Sequence, residues 1–215
     1  MEDFVRRHTT PAPVPLVPEI VLHTATDVTA LWETTGHPEP PFWGFPWAGG
    51  QALARHLLDH PDTTAGKRVL DLASGSGLVA IAAATTGARH VTANDIDPLA
   101  GAAIALNAHA NHVTLDIAVA DLLDTDPEVD VVLAGDVCYD RDLTARVLPF
   151  LRRAHTRGAL VLVGDPQRGH LPRDGFERVA THRVPVPVDL EGAEARTTLV
   201  WRATGPSPRT PADPR

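Results

Sequence analysis

Val69-Leu70-Asp71-Leu72-Ala73-Ser74-Gly75-Ser76-Gly77 is a short apolar strand ending in an acid, followed by a turn of small residues. A second strand, His90 to Asn94, runs into another acid, Asp95. The layout puts two carboxylates and a flexible loop at one edge of a parallel sheet, where a nucleoside cofactor lies across the strand ends. Glycines at 75 and 77 let the backbone turn tightly and approach a ligand without side-chain clashes. An acid just before such a turn would repel a pyrophosphate. The pattern therefore points to S-adenosylmethionine rather than NAD, with Asp71 holding the cofactor's ammonium group directly or through water. The bland alternative is a tight strand-to-helix turn with a capping serine.

Outward from this run the pattern alternates regularly. Strand 68–72 leads to a helix over 77–86 with Gly87 as its stop. Strand 90–94 leads to a helix from Pro98 to about His109, where proline suits the first turn. Strand 117–120 passes through the loop 121–128 to an apolar strand at 129–134. A helix follows at 142–154, then a strand at 159–163. Apolar strands alternating with helices imply a mostly parallel sheet covered on both faces. Two last strands, 176–184 and 197–203, are joined by a loop alone, which makes them antiparallel at the sheet edge.

Upstream, Pro11, Pro13, Pro15 and Pro18 read as an extended, proline-rich arm over residues 1–18 that excludes a helix. Residues 19–31 allow a short strand and a turn, and 32–41 read as loop. The aromatic and glycine-rich stretch Phe42 to Gly50 leads into a helix at Gln51 to His60. Residues 19–204 are read as one domain, and 205–215, lacking an apolar anchor, as a disordered tail.

The chain has 215 residues, 43% hydrophobic and 21% charged, the balance of a soluble globular domain. Its formal net charge of -8 argues against a general nucleic-acid binder, which needs a basic face. A single cysteine, Cys138, leaves no intramolecular disulfide and no cysteine-based metal cluster. No apolar run has the length of a membrane span. The first residues, Met1-Glu2-Asp3-Phe4, lack a signal core and acid-poor transit character. The expectation is a cytoplasmic monomer with no bound metal and no membrane or nucleic-acid partner. His109 and His112 lie three apart near a helix end, but no third ligand is evident, and a histidine stabilising the helix dipole is the better reading.

Three further places carry chemistry. Asp95 can accept two hydrogen bonds from a ribose diol, with Ile96 beside it, while Asp97 before Pro98 fits the helix cap better. Asp121, ending the third strand, would take the exocyclic amine of adenine while the backbone N–H of Leu122 meets a ring nitrogen. Its plain alternative is a turn residue. After the fourth strand comes Gly135-Asp136-Val137-Cys138-Tyr139, which holds the chain's only tyrosine. Cys138 reads as a buried small hydrophobe, since no histidine beside it forms an activating pair.

The Asp136-x-x-Tyr139 run is similar to the signature of the seven-strand lysine methyltransferases. Trp47-x-Gly49-Gly50-Gln51, Asn94-Asp95-Ile96-Asp97-Pro98 and Gly164-Asp165-Pro166 narrow the likeness. Over residues 19–203 the chain resembles the electron-transfer flavoprotein beta-subunit lysine methyltransferases. That resemblance implies a Rossmann-like seven-stranded methyltransferase fold. It implies Trp47 packed beside S-adenosylmethionine, with Gly75, Gly77, Asp95 and Gly135 lining it. Asp136 and Tyr139 would grip the incoming lysine, the plain alternative being a strand-end turn with a packed tyrosine. Gly164-Asp165-Pro166 would shape the substrate entrance, where the residues alone equally allow a plain Asp-Pro turn. A protein substrate follows, a bacterial-type flavoprotein beta subunit first. A small amine or another protein side chain is the alternative, and a binding module without turnover is disfavoured by the intact acids.

Overall fold

Apolar alternation is what builds the sheet. In the computed structural model, which describes residues 1–36, 39–188 and 192–205, seven strands run in the order β5-β4-β3-β6-β7-β9-β8. These are β3 (Arg68–Leu72), β4 (His90–Asp95), β5 (Asp116–Val119), β6 (Val131–Gly135), β7 (Leu160–Asp165), β8 (Phe176–Pro185) and β9 (Ala195–Ala203). The first five pair in parallel, and β9 pairs antiparallel with both β7 and β8. The expected sheet, mostly parallel with antiparallel strands at one edge, is the one observed.

Successive side chains of a strand point to opposite faces. Val69, Val131, Leu133 and Leu162 accordingly join one core cluster, while Leu70, Leu72, Val132 and Val161 join another. The first is covered by α3 (Ala48–Asp59), α4 (Leu78–Thr85) and α5 (Pro98–Ala110), the second by α6 (Arg141–Thr156). Both faces being buried explains why these strands read as unbroken apolar runs. The order of connection reverses between the parallel strands β3 and β6, the chain adding β4 and β5 on one side and β6 and β7 on the other. At such a switch a crevice opens beyond the strand ends.

The N-terminus departs from expectation. Residues Glu2–His8 form a helix, α1, and β1 (Thr10–Val14) pairs with β2 (Val17–Thr24) as a separate hairpin. The helix ends before the first proline, with Glu2 and Asp3 in its first turn and Arg6, Arg7 and His8 in its last. That charge order suits the helix dipole, and Val5 is buried beside Leu31 and Trp43. Pro11 and Pro13 are tolerated because β1 is an edge strand. Asn107 of α5 and Asn111, which caps its end, fasten the hairpin. Asn111 accepts from the Val21 N–H at 2.9 Å and Asn107 from that of His23 at 2.7 Å. Asn107 also donates to the Ser76 carbonyl at 2.8 Å, linking hairpin and glycine turn.

Two more boundaries move. The expected loop at 32–41 is helical up to Thr35 in α2 (Val28–Thr35), which Asp27 caps at its start and left-handed Gly36 at its end. Helix α3 begins at Ala48, so Gly49 and Gly50 are helical. The tail expected to be disordered lies, from 206 onward, outside the described residues.

Candidate functional site

A cleft of about 740 Å³ opens at the C-terminal ends of β3, β4 and β6. Most of the residues singled out from sequence meet there: Trp47, Asp71, Gly75, Asp95, Ile96, Asp121, Leu122, Gly135, Asp136 and Tyr139 all line it. Gly77 does not. It has a φ of 84° at the start of α4, and a Cβ there would come within 3.3 Å of Ile104. Its part is to turn the chain into the helix.

Asp71 is fully buried and holds the turn from below. Its Oδ2 accepts from the Ser74 hydroxyl and, at 3.0 Å, from the Ala80 N–H in the first turn of α4. Burial pushes its carboxyl up to about 7, against the pull of those two donors. The Gly75 N–H, in a left-handed turn with φ 56°, donates to Asp95 Oδ2 at 2.8 Å. Asp95 Oδ1 accepts from the Asp97 N–H at 3.1 Å. Burial raises the Asp95 carboxyl above the ordinary range. Asp97 is the helix cap that its place before Pro98 predicted, accepting from the Leu99 N–H at 2.8 Å.

Asn94, buried beside Asp95, donates to the carbonyls of Ala118 and Ala120, both at 2.8 Å. It thereby fixes the approach to Asp121. Asp121 itself is exposed, accepting from the Leu123 N–H at 3.0 Å and from Arg146 at 2.6 Å. Those two donors, the backbone one first, hold its carboxyl below the usual range. Ile96 is 71% exposed on the cleft lip.

At the other end Asp136 follows β6 with a φ of 56°. Its N–H donates to the Gly164 carbonyl at 2.9 Å, and its Oδ2 accepts from the Gly50 N–H at 2.8 Å. Tyr139 stands against Phe42 with ring centroids 5.1 Å apart, and Phe42 against Trp47 at 5.9 Å. The Trp47 indole N–H donates to the Phe42 carbonyl at 2.7 Å. Burial, then the charges of Asp140, Glu39 and Asp95, push the Tyr139 hydroxyl up to about 12, so it stays protonated at neutral pH. Cys138 is buried and its thiol is likewise pushed up to about 12, which leaves it no nucleophilic thiolate.

Several contributors escaped the sequence reading. Phe42 was visible as one aromatic among several, but its contact with Tyr139 was not. Arg146 and Arg168 line the cleft and carried no local signal, being two of eighteen arginines. Asp165 is absent from the wall. Its buried carboxylate accepts from the N–H groups of Gln167 and Arg168, at the start of the loop that brings Arg168 to the cleft. Gln51, fully buried, joins Leu16, Pro46 and Pro185, tying hairpin, aromatic loop and β8 together. Among the described residues no three His, Cys, Asp or Glu side chains gather as a metal-binding group.

The donor set suits S-adenosylmethionine. Asp71 is buried beneath the glycine turn and Asp95, at the end of its strand, accepts from the Gly75 N–H, so two carboxylates bracket an open turn at the cleft. Strand order and site together define a seven-strand methyltransferase of the S-adenosylmethionine-dependent class. Residues 52–137 match the family model of the ribosomal protein L11 methyltransferase (PrmA), a span that ends before Tyr139. The fold is shared with the ribosomal protein L11 methylase of Lactobacillus delbrueckii (TM-score 0.51, 22% identity, 70% of this chain and 77% of that one). It is shared too with the magnesium protoporphyrin IX methyltransferase of Synechocystis (TM-score 0.53, 16% identity, 72% and 77%). The electron transfer flavoprotein beta subunit lysine methyltransferase of Rattus norvegicus is 38% identical over 196 residues, covering 86% of this chain and 77% of the relative. That of Xenopus laevis is 43% identical over 172 residues, covering 77% and 70%. The chain belongs to the electron transfer flavoprotein beta subunit lysine methyltransferase family.

Proposed function

We propose that this protein transfers methyl groups from S-adenosylmethionine to lysine side chains of an electron transfer flavoprotein beta subunit. The observation that carries the reading is that Asp136, just after β6, and Tyr139, set against Phe42, both line the cleft. The names of the relatives supply the target. The same reading makes the enzyme cytoplasmic, bacterial and monomeric, independent of nucleic acid and membrane. The net charge of -8 speaks against a general nucleic-acid partner, and among the described residues no helix is long and apolar enough to cross a membrane.

When bound, S-adenosylmethionine supplies an electrophilic methyl group on a positively charged sulfur. The side chains must deliver a neutral amine to it, because a lysine ammonium with a pKa near 10.4 has no lone pair to attack with. Asp136 attracts the incoming cation and then orients the amine. The Phe42, Trp47 and Tyr139 rings exclude water, which disfavours the ammonium form. Tyr139 keeps its proton and offers a hydroxyl. Asp71 holds the cofactor's ammonium end, Asp95 its ribose, and Asp121 with Leu122 its adenine. Trp47, Gly75, Ile96 and Gly135 complete the lining, and Gly77 serves it by setting the turn. Fixing amine and methyl group in line supplies much of the acceleration.

The decisive experiment incubates the enzyme and radiolabelled S-adenosylmethionine with the flavoprotein of its own host and, separately, with host lysate. Label on the beta subunit, mapped to lysine by mass spectrometry, is expected. Label confined to small molecules would overturn the protein substrate and favour the small-amine alternative.

Asp71 gives this reading a pH signature. Its folded pKa of about 7 lies above the unfolded value near 3.9, so the folded apoprotein binds the extra proton between them. The apoprotein's stability therefore falls as pH rises through that window. A cationic cofactor has the opposite demand, since it needs the carboxylate ionised. Cofactor affinity is expected to rise about tenfold from pH 6 to pH 8, the gain in ionised fraction across a pKa of about 7. Titration calorimetry of wild type and Asp71→Asn checks this: a wild-type curve as flat as the variant's removes Asp71 from the cofactor's ammonium.

A further inference from the structure

We infer that the glycine pair at the start of α3, Gly49 and Gly50, is a positioning device for the Asp136 carboxylate. The inference rests on the reading in which Asp136 receives the substrate amine. Trp47, at the cap position of α3, makes no side-chain capping bond. The helix is instead met from 86 positions along the chain, where Asp136 Oδ2 accepts from the Gly50 N–H at 2.8 Å. One oxygen of the substrate-facing acid is thus held by a rigid backbone donor at the positive end of a helix dipole.

That contact exists only because three backbones interlock without side chains. A Cβ on Gly49 would lie 2.3 Å from the Gly164 carbonyl oxygen and 2.6 Å from Asp136 Oδ2. One on Gly164 would lie 2.1 Å from the Gly49 carbonyl oxygen, and one on Gly135 would lie 2.9 Å from the Gly50 Cα. The first turn of α3 therefore sits directly on the ends of β6 and β7. Asp136, in the left-handed region at φ 56° and tied through its own N–H to the Gly164 carbonyl, is held by the same junction. Left-handed backbone is unfavourable for a residue with a side chain and persists where the surroundings over-determine it. The carboxylate's direction is set by main chain from three segments, so a small displacement of α3 changes where the substrate amine is held.

The test compares Gly49→Ala with a chain carrying glycolic acid at position 50, which replaces only that N–H by an ester oxygen. Leu57→Val, buried in the last turn of the same helix and far from the junction, controls for loss of stability alone. Both junction variants are expected to lose about 10- to 100-fold in kcat, the scale of a misplaced reacting group. KM for the protein substrate and Kd for S-adenosylmethionine should change less than about threefold. Leu57→Val should lower the melting temperature and leave kcat unchanged below it. Should Gly49→Ala fail to fold, the ester chain decides. Full kcat in the ester chain, with Asp136→Ala inactive, overturns the inference and spares the proposed role of Asp136. Full turnover in Asp136→Ala removes that role and the inference with it.

Discussion

Replacement of Asp136 by alanine is expected to lower methyl transfer on the order of 10³-fold, within the range for removing a positioned acid or base group. Binding of S-adenosylmethionine should stay nearly intact. The carboxylate lies at the end of β6, beside Gly135 and two residues before Cys138, while Asp71, Asp95 and Asp121 lie along the rest of the cleft. Asp136 also accepts the Gly50 N–H, so the variant loses a helix-capping contact worth about 1 kcal/mol. A drop of about 2–4 °C in melting temperature is the corresponding cost for a chain of this size. Asp136→Asn separates the two effects. Its amide oxygen can still accept from Gly50, so stability should recover, while the missing charge leaves turnover low. Single-turnover assays with calorimetry on both variants settle the matter. A loss of cofactor affinity in step with turnover would move Asp136 to the cofactor's side of the cleft.

Asp95→Ala is expected to act on the other partner. Loss of a buried acceptor costs about 1–3 kcal/mol, more where charge assists, which is about 5- to 150-fold in cofactor Kd. Two contributions add here. The proposed ribose contacts go, and the Gly75 and Asp97 N–H groups lose their acceptors, which loosens the glycine turn before any ligand arrives. Turnover at saturating S-adenosylmethionine should fall far less than affinity, in contrast to Asp136→Ala. Equilibrium dialysis with the unmethylated product of the cofactor, which carries the same ribose, provides the cleanest reading. Unchanged affinity would sink the ribose assignment.

The contrast between these residues shows what was legible. The turn at 71–77, the acid closing β4, the cap at Asp97 and the five parallel strands rest on signals within a few residues: alternation, glycine, proline, a capping carboxylate. The same local logic failed at the N-terminus. Four prolines within residues 1–18 masked a helix that needs only the proline-free Glu2–His8 segment and a place to bury Val5. It failed again at 32–35, where the helix depends on the Asp27 cap and the Gly36 stop more than on its weakly patterned middle.

By itself, the sequence determined the alternation of strands and helices and the acids that close the strands, because strand and turn preferences are encoded by neighbours in the chain. Its motifs carried the resemblance to the family. Tertiary structure alone decided that Asp71 is buried enough to titrate near neutrality, that Phe42 walls the pocket with Tyr139, and that Asp136 hangs from the first turn of α3. These are contacts between residues tens of positions apart, and desolvation and backbone approach come into being only when the helices close on the sheet.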